Sequence, residues 1–251
     1  MFGWFGNGRI CLGIPLGGNE DFAMFVYGPA DGQEGDWETA APAEAMRRIL
    51  EPAESRLRKL GALAAPPVCI PVTDFPELED WVHESGNMVL IGEAAHPLPP
   101  GAIQMCAMAV EDGAVLAKLF SHLRTEDQIS SFLYAFEALR QGRCRAVQKK
   151  EFGDIFFMSF PPGPMQEGRD AALRAARDAG RNVLESGEDA EETPEWSEIK
   201  EVFGYDAEDE ADNWWQEWGI LRERAQGRDV MPAGDMQSVF GNVVVERQVG
   251  G

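Results

Sequence analysis

Basic residues are scarce in this chain: 22 Lys and Arg stand against 43 Asp and Glu, a net charge of −21. Such a surface repels a phosphate backbone and anionic lipid headgroups, which argues against nucleic acid as a partner and makes anionic membranes poor ones. Cysteine is sparse too. Cys11, Cys69, Cys106 and Cys144 are scattered with no CxxC pair, a pattern of free thiols in a reducing compartment that implies no zinc-type site and no structural metal. Of the three histidines, His83 and His122 have no partner pattern, and no Ser/His/Asp or metal-ligand constellation emerges. No stretch reaches the about 20 apolar residues of a membrane-spanning helix. Met1–Arg9 lacks the basic flank and long apolar run of a secretory leader. These absences lead to the expectation of a soluble, cytoplasmic protein whose partner is a small molecule.

What is present is ordinary in bulk. At 251 residues, 44% hydrophobic and 26% charged, the chain has the balance of a globular protein and is long enough for one large domain or two small ones. The stretch Asn87–Leu123 organises it. Met88–Ile91 is a short apolar run stopping at Gly92, which predicts a buried strand ending in a turn. A proline-rich turn, Pro97–Gly101, then leads to a helix whose expected apolar face is Cys106, Val110, Gly113, Ala117 and Phe120, spaced +4, +3, +4, +3. A strand, a loop and a helix N-terminus together offer free backbone N–H groups and a positive dipole end to an electron-rich ligand edge.

Gly92-Glu93-Ala94-Ala95-His96-Pro97, then Pro100, then Ala109-Val110-Glu111-Asp112-Gly113-Ala114-Val115-Leu116 resemble the second flavin-binding motif of FAD-dependent aromatic monooxygenases, the salicylate hydroxylase and para-hydroxybenzoate hydroxylase type. The family pattern is roughly GDAAHPxxPxxGxGxxxAIEDAxxL, and the spacing from His96 to Glu111-Asp112 fits it without a gap. The resemblance implies FAD with its ribityl chain against the acidic residue after the glycine and its pyrimidine edge against the helix N-terminus. The cofactor-binding residues it implies are Gly92, Glu93, His96 and Pro100 and, around the helix start, Gln104, Met105 and Cys106; no catalytic residue and no metal ligand are assigned. Two departures from the pattern involve three positions. The acid is Glu93 where the family usually has Asp, and the glycine positions carry Ile103 and Met105, so side chains stand where close backbone approach needs none.

The remaining segments are read around that motif. Ile10–Ile14 and Phe22–Tyr27, flanking Pro15–Glu20, predict a β-hairpin, similar to the substrate-side sheet of the same family. Pro42–Gly61 carries Ala45, Ile49, Ala53, Leu57 and Leu60 near helical spacing and predicts an amphipathic helix. Ala64–Val72 is a connection or edge strand. Trp81 matches a family tryptophan before the central strand and is expected in the core, while His96 is either part of the motif or a loop histidine bonded to backbone. A long helix is predicted from Ile129 to about Phe157, broken by Pro161-Pro162-Gly163-Pro164. Gln166 and Arg169-Asp170-Ala171 are similar to a downstream stretch of fungal members. Leu173–Leu184 reads as a helix, Glu185–Glu195 as an exposed acidic linker, and Trp196–Ala225 as a tryptophan-rich helical cap. Val239–Val245 is strand-like.

No GxGxxG turn is present; Gly6-Asn7-Gly8 lacks the third glycine and opens no βαβ unit. The expected fold class is therefore α+β, a partial flavin monooxygenase fold: residues 1–86 a substrate-side β-sheet region with one helix, 87–160 the flavin-motif strand, loop and helices, and 161–251 a C-terminal helical extension with the acidic linker. The expected function is that of an FAD-dependent monooxygenase, or a portion of one, hydroxylating or epoxidising a hydrophobic aromatic or polyketide-like substrate with NAD(P)H and O2. The alternative is a cofactor-free small-molecule-binding, cyclase-like or interaction protein on the same scaffold, favoured by the missing GxGxxG and by Ile103 and Met105.

Overall fold

The computed structural model describes residues 2–18, 21–30, 32, 35–180, 194–225 and 227. The chain opens with three antiparallel strands in the order β1 (Phe2–Gly6), β2 (Arg9–Leu16) and β3 (Asp21–Tyr27). Asn7 and Gly8 both take positive φ, 54° and 68°, the two-residue hairpin geometry whose twist matches the strands. The hairpin expected over Ile10–Tyr27 is therefore present as β2 and β3, with a further strand ahead of it.

Alternation divides the sheet into two faces. Trp4, Cys11 and Val26 stand in register across it and pack with Met46, Leu50 and Leu57 of α1 (Ala43–Leu50) and α2 (Ser55–Leu63). Ile10 pairs with Tyr27 on the opposite face, and the Tyr27 hydroxyl donates to the Pro100 carbonyl. The sheet is thus sandwiched between a helix pair and the loop that precedes the third helix. The single helix expected over Pro42–Gly61 is two, separated at Glu51–Glu54. Pro52 is the reason, because it has no N–H to continue the ladder.

A larger core forms around α3 (Met105–Ser121) and α4 (Ile129–Met158). Phe132, Phe136, Met108, Val115 and Leu119 are buried there together with Trp81, as the sequence leads one to expect for that tryptophan. Two expectations are corrected. Met88–Ile91 is not a buried strand: one bridge joins Val89 to Val82, and Met88, Leu90 and Ile91 are 54%, 37% and 45% exposed. Its backbone bonds go to the preceding turn, with His83 N donating to Met88 O and Leu90 N to Trp81 O, so an apolar run here does not mean burial on both faces. The buried face of α3 is also not the expected one. Met108, Asp112, Val115 and Leu119 are buried, whereas Cys106 and Val110 are exposed; a carboxylate occupies the centre of the core stripe, and apolar periodicity alone selected the wrong side.

Pro161–Pro164 ends α4 as predicted, and α5 (Pro164–Asp178) follows. Buried Arg169 of α5 caps α4, its Nη1 donating to Phe157 O and Met158 O at 2.9 and 2.8 Å. The tryptophan-rich segment resolves into α6 (Pro194–Phe203), α7 (Ala207–Trp214), a π-helical turn and α8 (Ile220–Ala225). Ala207, Ala211, Trp214 and Trp215 pack on the α3–α4 core, and buried Gln128 at the start of α4 donates to Glu223 of α8. Residues 181–193, with most of the acidic run, and the Val239–Val245 segment lie outside the described residues. No helix among the described residues is long and apolar enough to cross a membrane.

Glu137 of α4 accepts the Trp81 and Val82 amides through one oxygen, at 2.5 and 2.8 Å, which places Trp81 on the core. Glu137→Ala leaves two half-buried donors without an acceptor and is expected to cost about 1–3 kcal/mol, read as a lower urea midpoint; an unchanged midpoint would show that water replaces the carboxylate without penalty.

Candidate functional site

The site is built around a carboxylate that burial alone would discourage. Asp112 is fully buried on the inner face of α3 and accepts from three directions. Gly92 N–H reaches Oδ2 at 2.7 Å, His96 Nε2 meets the same oxygen at 2.7 Å, and Arg140 Nε of α4 donates to Oδ1 at 2.8 Å. Burial pushes the Asp112 pKa up, but His96, Gly92 and Arg140 together hold it below its ordinary 3.8. The charge is therefore retained. Arg140, also fully buried, bonds Met108 O and pairs with Glu111 at 2.7 Å. Arg143 makes a fork to Glu111 and reaches Glu201 O and Val202 O near the end of α6, while both guanidinium groups lie over the Tyr205 ring.

This network fixes the loop from Gly92 to Gly101. Gly92 takes φ +61° and starts a 3₁₀ turn over Gly92–Ala94, a conformation that suits glycine and aims its N–H at Asp112. His96 is buried against Trp81, ring centroids 5.5 Å apart; its bond is to the Asp112 side chain, not to backbone. At the far end Gly101, φ +83°, brings the loop onto β3 so closely that a Cβ there would meet Phe25 Cδ1 at 2.7 Å. Among His96, Asp112 and Cys144 the potential ligand atoms lie within 4.8 Å of one another. Arg140 is paired with the same carboxylate at 2.8 Å, and burial pushes the Cys144 thiol up to about 12, so the negative charge of this trio is already matched by a guanidinium.

The residues named from the sequence separate into three groups. Gly92 and His96 are turned inward onto Asp112. Glu93 is exposed and makes no hydrogen bond or ion pair among the described residues. Pro100, Gln104, Met105 and Cys106 surround the start of α3, with Gln104 buried, Met105 half-buried and Cys106 exposed. Arg140 and Glu151 were not singled out in the sequence. The signal for Arg140 is one arginine within the stripe Phe132, Phe136, Arg140, Cys144, Val147, facing one aspartate within the stripe of the preceding helix.

The loop geometry can be compared with known proteins. No family model matches the chain. It is 26% identical over 170 residues to the FAD-dependent monooxygenase OpS4 of Beauveria bassiana, covering 68% of this chain and 40% of that protein. Its fold matches the crystal structure of FqzB with TM-score 0.63 at 22% identity, over 92% of this chain and 49% of that one. The chain resembles FAD-dependent monooxygenases in sequence. A salicylate hydroxylase in complex with its substrate also matches, with TM-score 0.61 at 20% identity, over 84% of this chain and 48% of that one. The chain spans two-fifths to one half of the length of these relatives.

Against the monooxygenase pattern, one contact does not fit. The amides at the start of α3, where the resemblance puts the flavin's pyrimidine edge, are already engaged by a side chain of α4. Gln104 N–H donates to Glu151 Oε1 at 3.2 Å. Burial raises the Glu151 pKa against these amides, which lower it, and nearby Asp154 adds to the rise. Ile103 itself projects outward, 59% exposed, over the same turn. As folded, the chain's own anion holds the N-cap amide of this helix.

Two outcomes follow. Asp112→Ala leaves the Arg140 charge buried without its carboxylate and is expected to cost about 3–5 kcal/mol. The folded pKa of Asp112 lies below its unfolded value, so its stabilisation is present above that value and is lost as pH falls through the folded pKa, below 3.8; Asp112→Asn flattens this acid limb in denaturation curves taken at successive pH values. Glu151 has the opposite sign. Its folded pKa is raised, so its contribution is present at low pH and lost as pH rises through the folded value, and Glu151→Gln raises the denaturation midpoint at neutral pH while leaving it unchanged at pH 4. A Glu151→Gln protein less stable at pH 7 than the parent would contradict this.

Proposed function

We propose that the chain supplies the flavin-loop and substrate-side parts of an FAD-dependent monooxygenase that hydroxylates or epoxidises a hydrophobic aromatic or polyketide-like substrate, with NAD(P)H as reductant and O2 as oxidant. In this reading residues 1–86 form the substrate side, 87–160 hold the cofactor, and the described helices of the C-terminal extension brace α3 and α4 from behind. The observation that carries it is the Gly92–Asp112 unit, in which a motif long enough to be specific is also held in one conformation by a buried ion pair. When bound, FAD supplies the redox chemistry. The chain's own residues would hold it: Glu93, exposed and without a hydrogen bond or ion pair among the described residues, is the acid that the resemblance puts against the ribityl chain, and the glycine turn at Gly101 sets Pro100 against Tyr27. The sheet face beside that loop carries Leu12, Phe25 and Ile10, an apolar wall suited to a hydrophobic substrate.

A second reading has an observation of its own. Glu151 on the α3 amides, with Ile103 and Met105 at the motif's glycine positions, favours a scaffold that kept the fold and serves as a cofactor-free small-molecule-binding, cyclase-like or interaction protein. The two are separated by equilibrating the protein with FAD, removing the excess and recording a visible spectrum. A retained flavin band, followed by NADH or NADPH oxidation dependent on O2, supports the monooxygenase. A colourless protein sinks it and leaves the second reading; a band gained only in Glu151→Gln identifies that carboxylate as the obstacle.

A further inference from the structure

A cavity of about 410 Å³ opens at the β1–β2 turn, between the sheet, the α1–α2 pair and the turn from α4 to α5. It is apart from the Gly92–Gly101 loop, and neither the motif nor the comparisons assign it a role. Its size falls in the range that holds a small organic molecule. Most of its wall is apolar, including Trp4, Cys11, Ile49, Leu57 and Pro162, and burial pushes the Cys11 thiol up to about 11, so that wall carries no charge at neutral pH. The cation in the wall is Arg9.

Arg9 is poorly satisfied by the protein. Its Nε is buried with no hydrogen-bond partner, and Nη1 reaches only the Asn7 carbonyl, at 3.3 Å. No carboxylate among the described residues forms an ion pair with it. This is unexpected in a chain with 43 acidic and 22 basic residues. The carboxylate that does line the cavity, Glu54, is taken up instead by Trp4 Nε1 at 2.9 Å and Arg56 Nη2 at 3.0 Å. A buried donor left without an acceptor is costly, and a guanidinium fork is shaped for two parallel bonds to a carboxylate.

We infer that this cavity binds a small organic carboxylate with an apolar, aromatic-sized body, anchored by the Arg9 guanidinium. The carboxylate supplies the acceptor that Arg9 Nε lacks, and the body lies against Trp4, Ile49 and Leu57. The turn that carries Arg9 is fixed for this by Asn7 N and Gly8 N, which donate to Phe160 O and Ser159 O at 3.1 and 2.9 Å. The inference uses no residue of the flavin loop and shares only Ile10 with the sheet face proposed above as the substrate wall, and a titration without flavin tests it apart from the oxidoreductase reading.

The test uses the full chain without flavin, titrated calorimetrically with indole-3-acetate and with its neutral amide, indole-3-acetamide. The acid is expected to bind roughly tenfold or more tighter than the amide, the margin of a charge-assisted bond over a neutral one. Arg9→Met abolishes that preference, Arg9→Lys keeps part of it, and Ala53→Phe, which fills the cavity, weakens both ligands; circular dichroism confirms that each variant is folded. Equal affinity for acid and amide, absence of binding by both, or an acid preference that survives in Arg9→Met overturns the inference.

Discussion

The interaction on which the rest of the structure depends is the burial of Asp112 beside Arg140. Taking both charges out of water costs several kcal/mol for each ion and is offset only by close opposite charges and added hydrogen bonds. Here the partners come from separate pieces of chain: the Gly92 amide and His96 ring from the loop, the guanidinium from α4, and the Met108 carbonyl and Glu111 carboxylate from α3 itself. Because none can be removed without stranding a charge, the loop, α3 and α4 are obliged to keep one relative arrangement. Trp81 is drawn in by the same logic, held by Glu137 on one side and lying on His96 on the other.

That rigidity positions the loop but does not by itself make it receptive. The positive end of α3 attracts the nearest available anion, and α4 provides one in Glu151. A carboxylate is a stronger acceptor for those amides than a neutral ring carbonyl. Half-buried and raised by that burial, it is also the less comfortable of the two acids. Asp112 and Glu151 therefore sit on opposite sides of one balance: the first is held charged by its neighbours and stabilises the loop, the second is pushed toward its neutral form by burial.

The parts of this architecture legible in the sequence were those written in local chemistry. The proline cluster Pro161–Pro164 ends a helix because it removes donors, and the long α4 follows its own periodicity. The order from Gly92 to Asp112 was legible as a motif. What the sequence concealed were the interactions between segments. Asp112 reads as a surface residue in any apolar count, and only Arg140, 28 positions on, makes it a core residue, so the face of α3 was assigned to Cys106 and Val110 instead. The strand at Met88–Ile91 failed for a related reason: composition predicts that a run wants burial, but burial on both faces requires neighbours that composition does not contain. Glu151 gives no signal in sequence, since its role depends on where α4 passes the start of α3.

The central claim is that Asp112 holds the loop in place with no ligand bound, and the Gly92 amide reports on it directly. Its hydrogen–deuterium exchange is measured residue by residue in the flavin-free protein and in Asp112→Asn. Strong protection at Gly92 in the parent, lost in the variant while the amides of α4 stay protected, is the result predicted. Rapid exchange at Gly92 in the parent would mean that the carboxylate does not hold the loop, and the account would fail at its base.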